Sequence, residues 1–450
     1  MGNPLLTLAD HAASWRTRPL SAELEHHARR ALIDWFAALL PGCRRPPATL
    51  LAAVLADERG NGGAVCYVDG VRGGVRHAAL INGAASHIVE FDDIHRDSGY
   101  HPGSPTIAAA LAAAQARDAT LEMLLRAVVA GYEVSCRIGV AVQPSHYRMW
   151  HTTGTVGTFG AAAAVALLLG CDAGQTAHAI ATAATMAGGL QQAIRGTGMS
   201  KPLHPGHAAE AGALAALAAS AGVTGALDVL HGPVGFAAAT SEDTGKWAAA
   251  LAGLGERYAI AEITFKNHGC CGHIFAALDA VETLRLEANF TAAQVSRIHV
   301  EGYAATKDVC DRPDAATEQE ARFSVQYCVA ALLLTGGVRI AAFAPQRLVD
   351  PAIRELMRKV SVSIADDLAA AYPGRRAARV EVELNDGRVL RRSQPTRKGD
   401  PDAPLSDAEL SAKFMELTSP VIGDASGALL ESLWTGYVLP GAVPLAAEAT

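Results

Sequence analysis

Gly160 to Gly170 reads GAAAAVALLLG, a run with no charge and no hydrogen-bonding side chain. It falls well short of the ~20 apolar residues that a bilayer-spanning helix needs, so it is a helix buried inside protein. Segments of the same kind lie on both sides. Helices are predicted over 105–117, 120–142, 156–169, 175–193 and 208–221, with glycine and proline at the joins. Upstream, Ser21 caps a helix that carries Glu23 and Glu25 in its first turn. Leu24, Ala28, Ala31, Leu32, Trp35 and Leu39 then recur at helical spacing until Pro41 and Gly42 stop it. Half of all residues are hydrophobic and only 5% are aromatic, so the interior is built from Ala, Leu, Val and Ile. The 43 glycines permit close backbone approach, which favours tightly packed helices.

Past Glu262 the pattern changes. VSRIHVEGY (Val295 to Tyr303) and VSVSI (Val360 to Ile364) read as strands, and Arg379 to Arg391 alternates around Asp386-Gly387 as a hairpin does. A helix is predicted over 321–334 between them. A polar, Pro-rich segment over 394–404 then leads into a helix from Leu405 to Leu417 that ends at Thr418 to Pro420. The fold class is mainly α, with a large all-helical domain plus a smaller α/β domain (α+β). The expected boundaries are a helical domain over 1–262, the α/β domain over 263–400, and a C-terminal segment, 401–450, that returns to the helical domain.

A formal net charge of -7 with no long basic stripe argues against nucleic acid or an anionic membrane as partner. Met1 to Ala12 lacks the features of a secretory signal, and cytoplasmic localisation is expected. Eight cysteines show no disulfide spacing and read as reduced thiols.

Ionisable chemistry is concentrated in EFDDIHRDSGYHPGS (Glu90 to Ser104), where Asp92, Asp93, His95, Asp97 and His101 can exchange protons near neutrality. The same residues would also suit a solvated loop capping the next helix. His151 opens WHTTGTVGTFG at the start of an apolar helix, where free backbone N–H groups favour carboxylates. A lone histidine there is also an ordinary turn residue. Lys201 in GTGMSKPLHPGHAAEAG lies beside His204 and His207 and can pair with a substrate carboxylate, whereas the spacing excludes a Walker loop. FKNHGCCGH adds Lys266, His268 and His273 where the composition changes, a place that a site between domains would use. Cys270 and Cys271 are adjacent, which suits packing better than a zinc site, and no metal is expected. Tyr327 in RFSVQYCVA begins a helix of the smaller domain.

In order and wording these stretches resemble the MmgE/PrpD family, which includes 2-methylcitrate dehydratases, cis-aconitate decarboxylase and iminodisuccinate epimerase. The resemblance covers nearly the whole chain: HxxxFDD (His87 to Asp93), HPGS, GYE (Gly131 to Glu133), HTTGTVGTFGAAAA, SKPLHPGHAAEAG, FKNHGCCGH, FSVQY and PLSDAELSAKF (Pro404 to Phe414). It implies a helical domain closed by the C-terminal segment, a smaller lid domain, a homodimer, and chemistry without metal or cofactor in the cleft between domains. The family's site residues correspond to Glu90, His101, His151, Lys201, Lys266 and Tyr327. Cis-aconitate decarboxylase has Asp at the position of Glu90 and Thr at that of Ile94. A lid-helix histidine of the family is replaced by Phe275, which makes His273 the candidate substitute.

The first expectation is a metal-free hydro-lyase of the 2-methylcitrate/citrate dehydratase type, as used in propionate metabolism, acting on a small anionic polycarboxylate. Lys201 and Lys266, with His204 and His268 beside them, would bind carboxylates. His101 and His151 would move protons, Asp92 or Asp93 would orient a histidine, and Tyr327 would donate from the lid. The alternatives keep the scaffold and change the outcome, to decarboxylation of a cis-aconitate-like acid or epimerisation of an iminodisuccinate-like diacid. More remote are a non-catalytic polycarboxylate binder and a metal-dependent hydrolase using Asp92, Asp93, His95 and His101.

Overall fold

Helices whose contact faces carry Ala and Gly can bring their backbones closer than Leu-faced helices can, and the first part of the chain is built on that rule. The computed structural model describes residues 2–196, 198–372 and 374–446. It divides into two compact units, Met1–Thr264 with Ser406–Thr450, and Phe265–Leu405. The first unit contains α1 (Ala22–Gly42), α2 (Val75–Ala85), α3 (Gly103–Ala116), α4 (Leu121–Val142), α5 (Gly157–Leu168), α6 (Ala173–Ala184) and α7 (Leu203–Ser220). Every residue of α5 is buried, because α4, α6, α7 and α3 all pack on it.

The α5–α7 contact depends on Gly212. A Cβ there would meet the Ala161 Cβ at 2.5 Å and the Thr158 carbonyl oxygen at 2.6 Å. Neither atom can swing away. Gly212→Ala therefore lowers stability by about 1–2 kcal/mol, an overpacking cost of about 1–3 kcal/mol partly offset by the better helix propensity of alanine. Urea unfolding measures it, and an unchanged midpoint would show that the two helices can move apart freely.

Several predicted boundaries shift, among them the start of α7, expected at 208 and found at Leu203. α1 continues through Pro41 to Gly42, since a proline in the last turn removes only one backbone bond. The helix predicted over 175–193 starts with an Asp172 capping box but stops at Ala184. Beyond it Gly189 takes φ +136°, a conformation that breaks a helix and that side chains avoid. The stretch predicted as one helix over 156–169 begins earlier, with a separate turn at Thr152–Thr155. No helix among the described residues is long and apolar enough to cross a membrane.

In the second unit α8 (Phe275–Ala288) and α9 (Val325–Thr335) accompany β1 (Val295–Gly302), β2 (Val360–Ile364), β3 (Ala378–Leu384) and β4 (Val389–Gln394). The sheet order is β2-β1-β3-β4, with β1 and β2 parallel and the other pairs antiparallel. Along β3, Ala378, Val380, Val382 and Leu384 are buried in alternation, and α8 packs on β3 and β4. The Asp386-Gly387 hairpin forms in the register Ala378↔Gln394 to Glu383↔Val389, with Gly387 at φ +88°. The helix predicted over 321–334 is two pieces, because Ser324 starts a new one by accepting from the Tyr327 N–H at 3.0 Å.

The chain then rejoins the first unit through α10 (Asp407–Ile422), which Ser406 and Glu409 cap. It passes its predicted end and carries Pro420 in its last turn. All eight cysteines are buried and unbridged.

Candidate active site

The site is built where α2 ends. The chain turns after Ala85, runs irregularly through Glu90 to His101, and enters α3 at Gly103. Asp92 is its centre. One oxygen of its buried carboxylate, Oδ2, accepts from His87 Nδ1 at 2.6 Å and from the Ser104 hydroxyl at 2.9 Å. His101 Nδ1 lies 3.1 Å from the same oxygen, off hydrogen-bond alignment. The His87 ring is 4.9 Å from that of His101 and 5.6 Å from that of His151.

His151 is placed by the loop that ended the helix before it, its N–H donating to the Gly189 carbonyl at 2.9 Å. Its Nδ1 lies 2.9 Å from Nδ1 of His204, in the first turn of α7. Just ahead of that helix, buried Lys201 forms an ion pair with buried Glu90. Glu90 itself has φ +59°, a left-handed conformation that costs a residue other than glycine on the order of 1–3 kcal/mol.

Burial disfavours charge on the imidazoles. It lowers His87 to about 4, with Lys201 adding to the effect against the opposing pull of Asp92. It holds His151 well below the ordinary value, helped by His87 and Lys201, and it lowers His204, again with Lys201. His87 is thus a neutral ring that donates from Nδ1, and its buried Nε2 has no hydrogen-bond partner among the described residues. His87, Asp92 and His101 are also the one group among those residues whose ligand-type atoms lie within 4.8 Å of one another.

Of the two aspartates expected to orient a histidine, Asp92 faces His87 and His101, and Asp93 faces neither. Asp93 accepts from the Gly103 N–H at 2.9 Å and from the Tyr132 hydroxyl at 2.7 Å. Burial and the nearby charge of Asp34 push its carboxyl up to about 8. Between pH 4 and 8 the folded state therefore keeps a proton that the unfolded state has released, so stability falls as pH rises through this window. In Asp93→Asn the amide keeps an acceptor for Gly103 and offers a donor to the Tyr132 oxygen. Relative to that variant, wild-type stability is expected to fall by on the order of 1 kcal/mol per pH unit from about pH 4 to about pH 8 and then to level off. Denaturant unfolding at several pH values measures the difference, and parallel curves would place a charged Asp93 in the native state throughout.

The quartet imagined for a hydrolase is not assembled. His95 turns to the Ser98 hydroxyl at 2.9 Å and to Glu262 at 3.8 Å, and Asp93 faces Tyr132. In the second unit, buried His268 holds Asp279 at 3.1 Å, and Lys266 is also buried. His273 Nδ1 lies 2.8 Å from the Tyr303 hydroxyl. Phe275 is a core side chain, edge-on to the His268 ring at 5.3 Å. Tyr327 was expected to supply a donor. Its hydroxyl instead donates to the Ala342 carbonyl at 2.6 Å and its ring stacks on Phe343.

The MmgE/PrpD N-terminal domain matches residues 6–247 and the MmgE/PrpD C-terminal domain matches residues 268–434. The chain belongs to the MmgE/PrpD family. Among its relatives, the cis-aconitate decarboxylase-like protein oryM of Aspergillus oryzae is 28% identical over 448 residues, covering 94% of this chain and 92% of that protein. The cis-aconitate decarboxylase of Homo sapiens is 28% identical over 362 residues, 77% of this chain and 73% of its own. That of Aspergillus terreus is 26% identical over 453 residues, 94% of this chain and 91% of its own. In this MmgE/PrpD chain, His87 is the residue that the sequence reading passed over. Its signal was the histidine of HxxxFDD, five residues before Asp92 across the end of a helix.

Proposed function

We propose that this protein is a lyase that releases carbon dioxide from a cis-aconitate-like tricarboxylate. The observation that carries the reading is the Asp92-centred pair of His87 and His101 beside His151 and the Glu90–Lys201 ion pair. It brings proton-transfer groups and a cation together among buried side chains, which is what a reaction through a carbanion requires. The names of the relatives add weight to decarboxylation over the dehydration placed first on the sequence. Loss of the allylic carboxylate leaves its bonding pair in the allyl system, and the far carbon then takes a proton. Lys201 suits the carboxylates that remain, by exchanging its Glu90 contact for substrate.

Dehydration of a citrate-like acid needs the same kinds of group, so the test must separate products. Purified protein is incubated in deuterated water with cis-aconitate, citrate, 2-methylcitrate and iminodisuccinate. The expected result is carbon dioxide from cis-aconitate with one deuterium in the product. Alkene formation from citrate or 2-methylcitrate, without carbon dioxide, would replace this reading with the dehydratase. Activity that survives exhaustive chelation is also expected.

A further inference from the structure

Decarboxylation of this kind consumes one proton per turnover, because the carboxylate leaves as neutral carbon dioxide and the carbanion must be protonated. Dehydration has no such demand, since the proton taken from carbon balances the one given to hydroxide. A buried acid in a decarboxylase must therefore be recharged from solvent each cycle. His151 is buried, with 3% of its surface exposed. Its contact toward water is His204, Nδ1 to Nδ1 at 2.9 Å.

His204 is half-buried, and it lines a cavity of about 660 Å³ together with Gly188, Leu190, Gln192, Ser200 and His207. Leu190, Gln192, Ser200 and His207 are exposed, so this cavity meets solvent. One histidine thus faces water while touching the other, which does not.

We infer that His204 is a relay residue, carrying a proton from the solvent-facing cavity to His151 once per turnover. The step rests on the decarboxylase reading. Water gives a proton to Nε2 of His204, Nδ1 of His204 passes its own proton to Nδ1 of His151, and after a half-turn of the His151 ring that same nitrogen protonates the far carbon of the allyl system. No oxidant or further reactant is needed: His151 keeps its Nε2 proton throughout, and His204, which lines the cavity, regains its starting tautomer by exchange with water. The low basicity that burial imposes on His151 helps the last transfer, since an imidazolium formed there is a stronger acid than one in water.

The test compares wild type, His204→Ala and His204→Asn, all checked for folding by circular dichroism. Wild type is expected to release carbon dioxide from cis-aconitate. His204→Ala lowers kcat by about tenfold or more, with KM changed less than about threefold, and added imidazole, which the cavity can admit, restores it saturably. In His204→Asn the amide keeps a hydrogen bond to His151 and cannot pass a proton, so kcat stays low; this variant decides the matter if the alanine variant does not fold. Full activity in His204→Asn, or a loss in folded His204→Ala that imidazole does not relieve, overturns the relay and leaves the decarboxylase reading standing. A wild type that releases no carbon dioxide overturns both.

Discussion

His101→Ala lowers kcat by about 100- to 1,000-fold, the range for loss of one preorganised group that stabilises developing charge, with a much smaller change in KM. Three features of the structure single this residue out from the other histidines of the cluster. His87 is fully buried and spends Nδ1 on Asp92. His151 is also buried, whereas the side chain of His101 keeps 16% of its surface exposed. Its Nδ1 stands 3.1 Å from an Asp92 oxygen that His87 and Ser104 already hold in place, so a modest ring rotation completes the bond without moving the carboxylate. A fixed carboxylate behind an accessible imidazole sets its tautomer and its orientation. Steady-state kinetics with cis-aconitate measures the effect. A loss below about tenfold in folded His101→Ala would mean that this histidine does not stabilise the developing charge.

The helical body was legible in the sequence because packing there is nearly a property of composition. An all-apolar stretch such as Gly160 to Gly170 calls for burial, and the helix that runs through it to Leu168 has no exposed face. The hairpin at Asp386-Gly387 was equally plain, since alternation and turn chemistry agree. Breaks inside predicted helices were not. The glycine at 189 could have stood in a helix at modest cost, and the backbone contacts of residues 189–191 with Met149 to His151, which hold this stretch outside a helix, join positions about 40 residues apart.

Site residues were legible as chemical types and less so as partners. Asp92 and Asp93 are neighbours in sequence, yet one faces histidines and the other Tyr132, because successive side chains in an extended loop point in different directions. Glu90 and Lys201 lie 111 positions apart, so their pairing is a tertiary fact that no local pattern encodes. Tyr327 was assigned a role through resemblance, and its hydroxyl is bound within its own unit.

Lys413→Ala is expected to destabilise the first unit by about 3–5 kcal/mol, the cost of leaving a buried charge without its partner. Lys413 lies in α10 with its side chain 2% exposed, and its ammonium donates to Asp34 of α1 at 2.6 Å. It also donates to the Phe91 carbonyl at 2.8 Å, inside the loop that carries the site. Phe91 follows the residue held at φ +59°, so this bond fixes the peptide next to the one strained position whose carboxylate pairs with Lys201. Losing it should therefore reduce kcat/KM as well as stability. Asp34→Ala removes the same ion pair and leaves the Phe91 contact possible, so it should cost comparable stability and less activity. In the double variant Asp34→Leu, Lys413→Met neither charge remains, and the stability loss should be smaller than the sum of the two single losses. Urea unfolding of the four proteins, with kinetics on each, distinguishes these outcomes. Additive losses would mean that water reaches the pair, and full activity in Lys413→Ala would mean that Glu90 keeps its conformation without help from the C-terminal helix.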